Sequence, residues 1–144
     1  MPRKLWHNVL MSHSAYLPAS PSPFVFGWKE VEGGLPVARL EEFSAYSGIP
    51  MKDLLEVVIP ARTLKHRRQR NEPLNIDESD RLARVAKMYE LAVKVYGEAE
   101  EGRDWLMSSM RKFDGKTALS MLRTEAGGQA VQEFLLQIDE GMFV

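Results

Sequence analysis

Apolar residues recur at intervals of three and four from Pro36 onward, and that period predicts helices rather than strands. Val37, Leu40 and Phe43 share one face of a first helix running through Ser47, and Gly48-Ile49-Pro50 ends it. Met51 to Val58 forms a second, with Leu54, Leu55 and Val58 inward. Pro60 opens a third over residues 61–70, placed in the first turn, where the missing N–H of proline is harmless. Asn71-Glu72-Pro73-Leu74-Asn75 reads as a turn, and Asp77 or Ser79 caps the next helix, which runs to about Tyr96 and stops at Gly97. Its stripe of Leu82, Val85, Tyr89, Ala92, Val93 and Tyr96 is long enough to connect two halves of the molecule. Three more helices follow. One lies around 98–108, marked by Ala99, Trp105 and Leu106; one runs from Lys116 to Leu122 after the turn Phe113-Asp114-Gly115. The last is capped by Thr124 and buries Val131, Phe134, Leu135 and Ile138. Gly127 and Gly128 weaken its first turn, which predicts the close approach of a neighbouring backbone. Strand-like alternation is absent, so the expected fold class is all-α.

Residues 1–34 lack a sustained period. Leu17-Pro18-Ala19-Ser20-Pro21-Ser22-Pro23 is a proline-punctuated extended segment, and Gly33-Gly34 closes the arm. Trp6, Phe24, Phe26 and Trp28 are its candidate anchors, onto its own body or onto a second subunit. The expected organisation is an extended arm over 1–34, a helix-turn-helix over 35–75, a connecting helix over 76–96 and a helical domain over 97–144.

Charge is spread unevenly over this pattern. The stretch from Ile59 to Arg70 holds five Lys/Arg and no carboxylate, in a chain of formal net charge −1. Removing those five from the 19 cations leaves 14 against 20 acids, so the rest of the chain is acidic. On the third helix Leu64 is the one apolar anchor, and Arg62, Lys65, His66 and Gln69 fall on the opposite side. A short helix with one anchor and a cationic, amide-bearing outer stripe, following a tight turn after another short helix, reads as the second helix of a helix-turn-helix entering a major groove. Arg62, Thr63 and His66 are the expected base-edge readers, with Gln69 suited to adenine; Lys65 and Arg70 are expected on phosphate. Arg67 and Arg68 lie nearer the Leu64 side, where pairing with Asp77 or Glu78 competes with a DNA role. One reading helix gives limited affinity, so a homodimer on two half-sites about one helical turn apart is expected.

At 44% hydrophobic and 27% charged, the 144-residue composition is that of a globular protein. The absence of cysteine removes disulfide and thiolate chemistry and suits a reducing cytoplasm, the expected location. No apolar run reaches bilayer length. His7, His13 and His66 do not form a metal-binding pair, the acidic run of Glu98, Glu100, Glu101 and Asp104 suits a solvated helix start, and no phosphate loop or acid–base pair is evident. No catalytic role, cofactor or metal is expected.

In order and spacing the chain resembles the Xre/MbcA/ParS antitoxin family of bacterial type II toxin–antitoxin modules over about residues 36–144. The resemblance is carried by Ile59-Pro60-Ala61-Arg62-Thr63-Leu64 with Arg67-Arg68, by Leu74 with Glu78-Ser79-Asp80-Arg81-Leu82 and Arg84, and by Trp105-Leu106. Leu119-Ser120-Met121-Leu122-Arg123-Thr124-Glu125-Ala126-Gly127-Gly128, Val131 and the terminal Ile138-Asp139-Glu140-Gly141 complete it. It implies an Xre-like helix-turn-helix on operator double-stranded DNA, and a helical toxin-binding domain whose partner is a RES-domain toxin of the NAD-degrading kind. The function implied is neutralisation of that toxin together with repression of the operon. The alternative is a stand-alone regulator whose C-terminal helices only dimerise. For the toxin, the expected contacts are Gly141, Met142, Phe143 and Val144, a glycine hinge bearing an apolar tail that suits a nucleotide cleft; a frayed or folded-back terminus is the competing reading.

Overall fold

The longest helix begins at a reciprocal cap: Asn75 Oδ1 accepts from the Glu78 backbone N–H, and Glu78 Oε1 accepts from that of Asn75, both at 2.8 Å. In the computed structural model, which describes residues 22–141, this helix is one of eight α-helices among the described residues. They are α1 (Trp28–Gly33), α2 (Val37–Ser47), α3 (Met51–Val57), α4 (Ala61–Gln69), α5 (Ile76–Tyr96), α6 (Ala99–Met107), α7 (Ala118–Met121) and α8 (Glu125–Asp139), with a 3-10 turn at Arg111–Phe113. The described residues form no strand, only an isolated bridge between Ser109 and Thr117. The chain is all-α.

Three helices start in the same way. Pro36, Pro50 and Pro60 each occupy the N-cap of α2, α3 and α4, with φ of −58°, −60° and −61°. The ring presets the extended entry, and proline has no N–H to leave unsatisfied there. Pro60 therefore sits one position earlier than the first helical turn expected from sequence. Gly48 and Gly97 end α2 and α5 in the left-handed conformation.

The cap of α5 differs from expectation: Asn75 takes the role, because only Asn75 has a glutamate three residues on to return the bond. Asp77 is left exposed in the first turn, and Ser79 is fully buried and works at long range. Its Oγ accepts from the Leu35 N–H at 2.9 Å and donates to Leu74 O at 3.4 Å, while the Leu74 N–H donates to Leu35 O at 2.9 Å. This knot ties the entry of α2 to the entry of α5.

The N-terminal arm is not extended throughout. Its last residues form α1, which packs on α5, and Phe24 is buried in an aromatic cluster with Phe43 and Tyr46, at ring-centroid separations of 5.4 and 5.0 Å. Of the proposed anchors, Phe24 thus belongs to the chain's own body, Phe26 packs beside it, and Trp28 is exposed. Trp6 lies outside the described residues. Burying Phe24 contributes roughly 2–3 kcal/mol.

The expected stripe of α5 is too narrow. Leu82, Val85, Tyr89 and Ala92 are buried, but so are Ala86, Met88 and Val95, because α1 and α2 pack on one side of α5 and α6 and α8 on another. Gly102 brings α6 onto α5: a Cβ there would lie 2.7 Å from the Val93 nitrogen. In α3, Val57 is buried and Leu55 only half-buried, and the helix expected over 116–122 shortens to α7, capped by Thr117.

Thr124 caps α8 as expected, its Oγ1 accepting from the Gly127 N–H at 3.0 Å. At Gly127 the predicted close approach is present: a Cβ would fall 1.9 Å from the Met121 carbonyl oxygen. Gly128 instead makes room for a side chain, since its Cβ would lie 2.9 Å from Cδ of Arg84. Arg84 donates to Leu122 O at 3.0 Å and pairs with Asp80 at 2.6 Å, joining α5 to the α7–α8 corner. Gly127→Ala is expected to cost about 2–3 kcal/mol in urea denaturation, the range for overpacking against an unyielding neighbour. Gly33→Ala, with nothing within 4 Å of its Cβ, is expected to stabilise by about 0.5 kcal/mol.

Candidate nucleic-acid and protein interfaces

On α4 only Leu64 is buried, at 2% exposure, and it fixes which side of the helix faces the body. Arg62, Lys65, His66, Gln69 and Arg70 are exposed, whereas Thr63, next to the anchor, is half-buried. The buried run Val57-Val58-Ile59 seats the turn before α4. Arg81 Nε donates to Val58 O at 2.9 Å and holds that turn against α5.

The far end of α4 is held by charge. Arg67 makes a two-pronged contact with Glu78, Nε to Oε1 and Nη2 to Oε2 at 3.1 Å each, and reaches Glu72 at 3.4 Å. The bond to Glu78 raises the affinity of this guanidinium for its proton above the usual value, against partial desolvation that opposes it. Arg68 pairs with Glu41 at 2.7 Å, not with Asp77 or Glu78. The expected intramolecular pairing therefore holds for Arg67 and Glu78, and Arg68 takes a partner on α2 that the local sequence does not indicate.

Two of the five cations in the basic stretch are thus neutralised. Among the described residues no ion pair engages Arg62, Lys65, His66 or Arg70. These four and Gln69 form a solvent-facing donor surface directed away from Leu64. No group of three metal-ligating side chains converges among the described residues, and no described helix is long and apolar enough to cross a membrane.

At the other end of the chain, α8 closes at Gly141, whose φ of 76° permits its N–H to donate to Ile138 O at 3.0 Å. Of the expected tail contacts, Gly141 is therefore a left-handed turning point, while Met142, Phe143 and Val144 lie outside the described residues. Sequence reasoning missed a second surface here. Trp105, Ser108, Met110, Arg111, Lys112 and Phe134 line a largely apolar cleft of about 540 Å³. Trp105 lies between Tyr96 and Phe134, tilted to both, with ring centroids 6.2 and 5.9 Å away. The signal was present in the half-buried Trp105 and in Phe134 on the α8 stripe, but their meeting depends on how α6 and α8 pack.

A helix-turn-helix with a bared cationic second helix, joined by a shared helix to a second helical unit, defines a helix-turn-helix protein with an appended α-helical domain. Comparison with known families agrees: the antitoxin Xre-like helix-turn-helix domain matches residues 29–87, and the antitoxin Xre/MbcA/ParS C-terminal toxin-binding domain matches residues 91–141. The chain belongs to the Xre/MbcA/ParS antitoxin family, a family of antitoxins and not of enzymes. It is 48% identical over 84 residues to an antitoxin Xre of Pseudomonas putida, a match covering 58% of this chain and 53% of that protein, so the chain spans about half the length of this relative. An antitoxin Xre of Yersinia enterocolitica is 25% identical over 144 residues, covering 98% of this chain and 91% of that one. One of Photorhabdus laumondii is 28% identical over 111 residues, 76% of this chain and 75% of that protein.

Glu78 is 4% exposed and satisfies both the helix cap and Arg67. Glu78→Gln is expected to destabilise by about 2–3 kcal/mol in chemical denaturation, since the buried charge is lost and the amide keeps one acceptor oxygen for three donor N–H groups. Arg68→Ala, which breaks only the exposed pair with Glu41, is expected to change stability by less than about 1 kcal/mol.

Proposed function

We propose that the protein is a cytoplasmic antitoxin that binds and neutralises a RES-type, NAD-degrading toxin, and that it represses its own operon by binding operator DNA as a homodimer. The observation that carries the DNA half is the unneutralised surface of Arg62, Lys65, His66, Gln69 and Arg70 on a helix fixed by Leu64, Arg67 and Arg81. In this reading the N-terminal turn of α4 enters the major groove. Arg62 and His66 read base edges, Gln69 reads adenine, and Thr63 contributes only through its exposed side. Lys65 and Arg70 set register on phosphate. Two copies present two such helices to half-sites about 34 Å apart.

The toxin half is supported by the match to a toxin-binding domain over residues 91–141 and by the apolar cleft of Trp105, Met110 and Phe134. The tail from Gly141 through Met142, Phe143 and Val144 enters the toxin's nucleotide cleft in this reading. The RES-type partner rests on the resemblance of the chain to its family.

Arg62→Ala with His66→Ala is expected to abolish sequence-selective operator binding in gel shifts and leave the circular-dichroism melting curve unchanged; undiminished affinity would sink the assignment. Deleting residues 141–144 is expected to release toxin activity, read as NAD loss on co-expression, while DNA binding persists. Full neutralisation by the truncated protein would remove the tail from the toxin contact.

A further inference from the structure

Where the turn before α4 meets the corner before α8, a cleft of about 290 Å³ is lined by Leu55, Glu56, Pro60, Arg81, Arg123 and Thr124, among others. It brings together the two matched domains: Pro60 caps the reading helix, and Arg123 belongs to the C-terminal unit. Arg81 is pinned by its bond to Val58 O. Arg123 is exposed, and no ion pair among the described residues engages it. Glu56 is the one carboxylate lining the cleft, and it pairs with neither arginine. Two guanidinium groups against one carboxylate leave the cleft with a single net positive charge.

The position of this charge decides what it fits. The cleft adjoins Pro60, so it opens beside the turn that carries Arg62. A helix whose N-terminal turn enters the major groove brings its flanks against the sugar–phosphate backbone, where most protein–DNA hydrogen bonds are made. An exposed arginine that no ion pair among the described residues engages is suited to a phosphate oxygen there, since its fork geometry matches that group.

We propose that Arg123, from the toxin-binding domain, contacts a DNA phosphate flanking the base pairs read by α4. The DNA-binding surface then extends across the domain boundary. This inference rests on the DNA-binding reading above. Its signature is electrostatic and independent of sequence: Arg123 adds to the salt dependence of binding and not to the choice of site, whereas Arg62 does the reverse.

The test titrates salt for the full-length protein on a duplex carrying the promoter region of its own gene and on a random-sequence duplex of equal length. Arg123→Ala is expected to weaken both duplexes alike and to lower the slope of log K against log salt by about 0.9 per protomer. Arg123→Lys restores the slope, and Glu56→Gln tightens both duplexes. Wild-type protein that binds while Arg123→Ala leaves affinity and slope unchanged overturns this inference alone. Wild-type protein that binds neither duplex overturns the DNA-binding reading and this inference with it.

Discussion

The carboxylate of Glu78 is the point on which the arrangement depends. It is buried, and it meets three demands at once: it returns the capping bond to Asn75, it accepts two hydrogen bonds from Arg67, and it supplies negative charge at the start of α5. A buried carboxylate is costly unless its lone pairs are filled, and here donors from two different helices fill them. The consequence is geometric. Because Arg67 reaches back to α5, the rest of the basic stretch is turned outward, and Leu64 completes the fixing from within. The cationic face of α4 is what remains after the helix has been secured.

The same helix secures the other half. On successive turns of α5, Glu78 holds α4, Arg81 holds the turn before α4, and Arg84 holds the corner before α8. Apolar residues between them pack on both sides, with Gly102 letting α6 lie close enough to touch the α5 backbone. Each anchor is a side chain on a backbone carbonyl or a buried charge, which fixes direction more strictly than apolar burial alone. The two candidate surfaces are therefore held in a set relation by one rod.

Much of this was legible along the chain, for local reasons. Leu64 stands alone among polar residues, so the facing of α4 follows from helical spacing; Gly97, Thr124 and Gly127 act within a few residues of themselves. What escaped was long-range. Ser79 resembles a cap, yet its hydroxyl serves Leu35, 44 residues away. Arg68 had acidic neighbours on α5 within sequence reach, yet Glu41 on α2 lies closer in space. The α5 stripe looked single because an amphipathic period reports one buried face, and this helix has partners on more than one. The Trp105 cleft is created by helix packing, so no window of sequence contains it. The base-reading and toxin-contact assignments depend on partners that lie outside the chain, so a sequence can nominate the residues but not the contacts.

The place where the two family matches meet has a consequence for how such proteins exchange parts. One match ends at residue 87 and the other begins at 91, in the middle of α5. There is no linker at that seam. Met88, Tyr89 and Ala92 are interior residues of a helix on which α1, α2, α6 and α8 all pack. A recombinant that joins the front of one homologue to the back of another at this seam inherits half an interior from each parent, and its helix must reconcile two sets of knobs and hollows. A change of specificity is therefore expected to be tolerated more readily within either half of this chain than through exchange of a whole half.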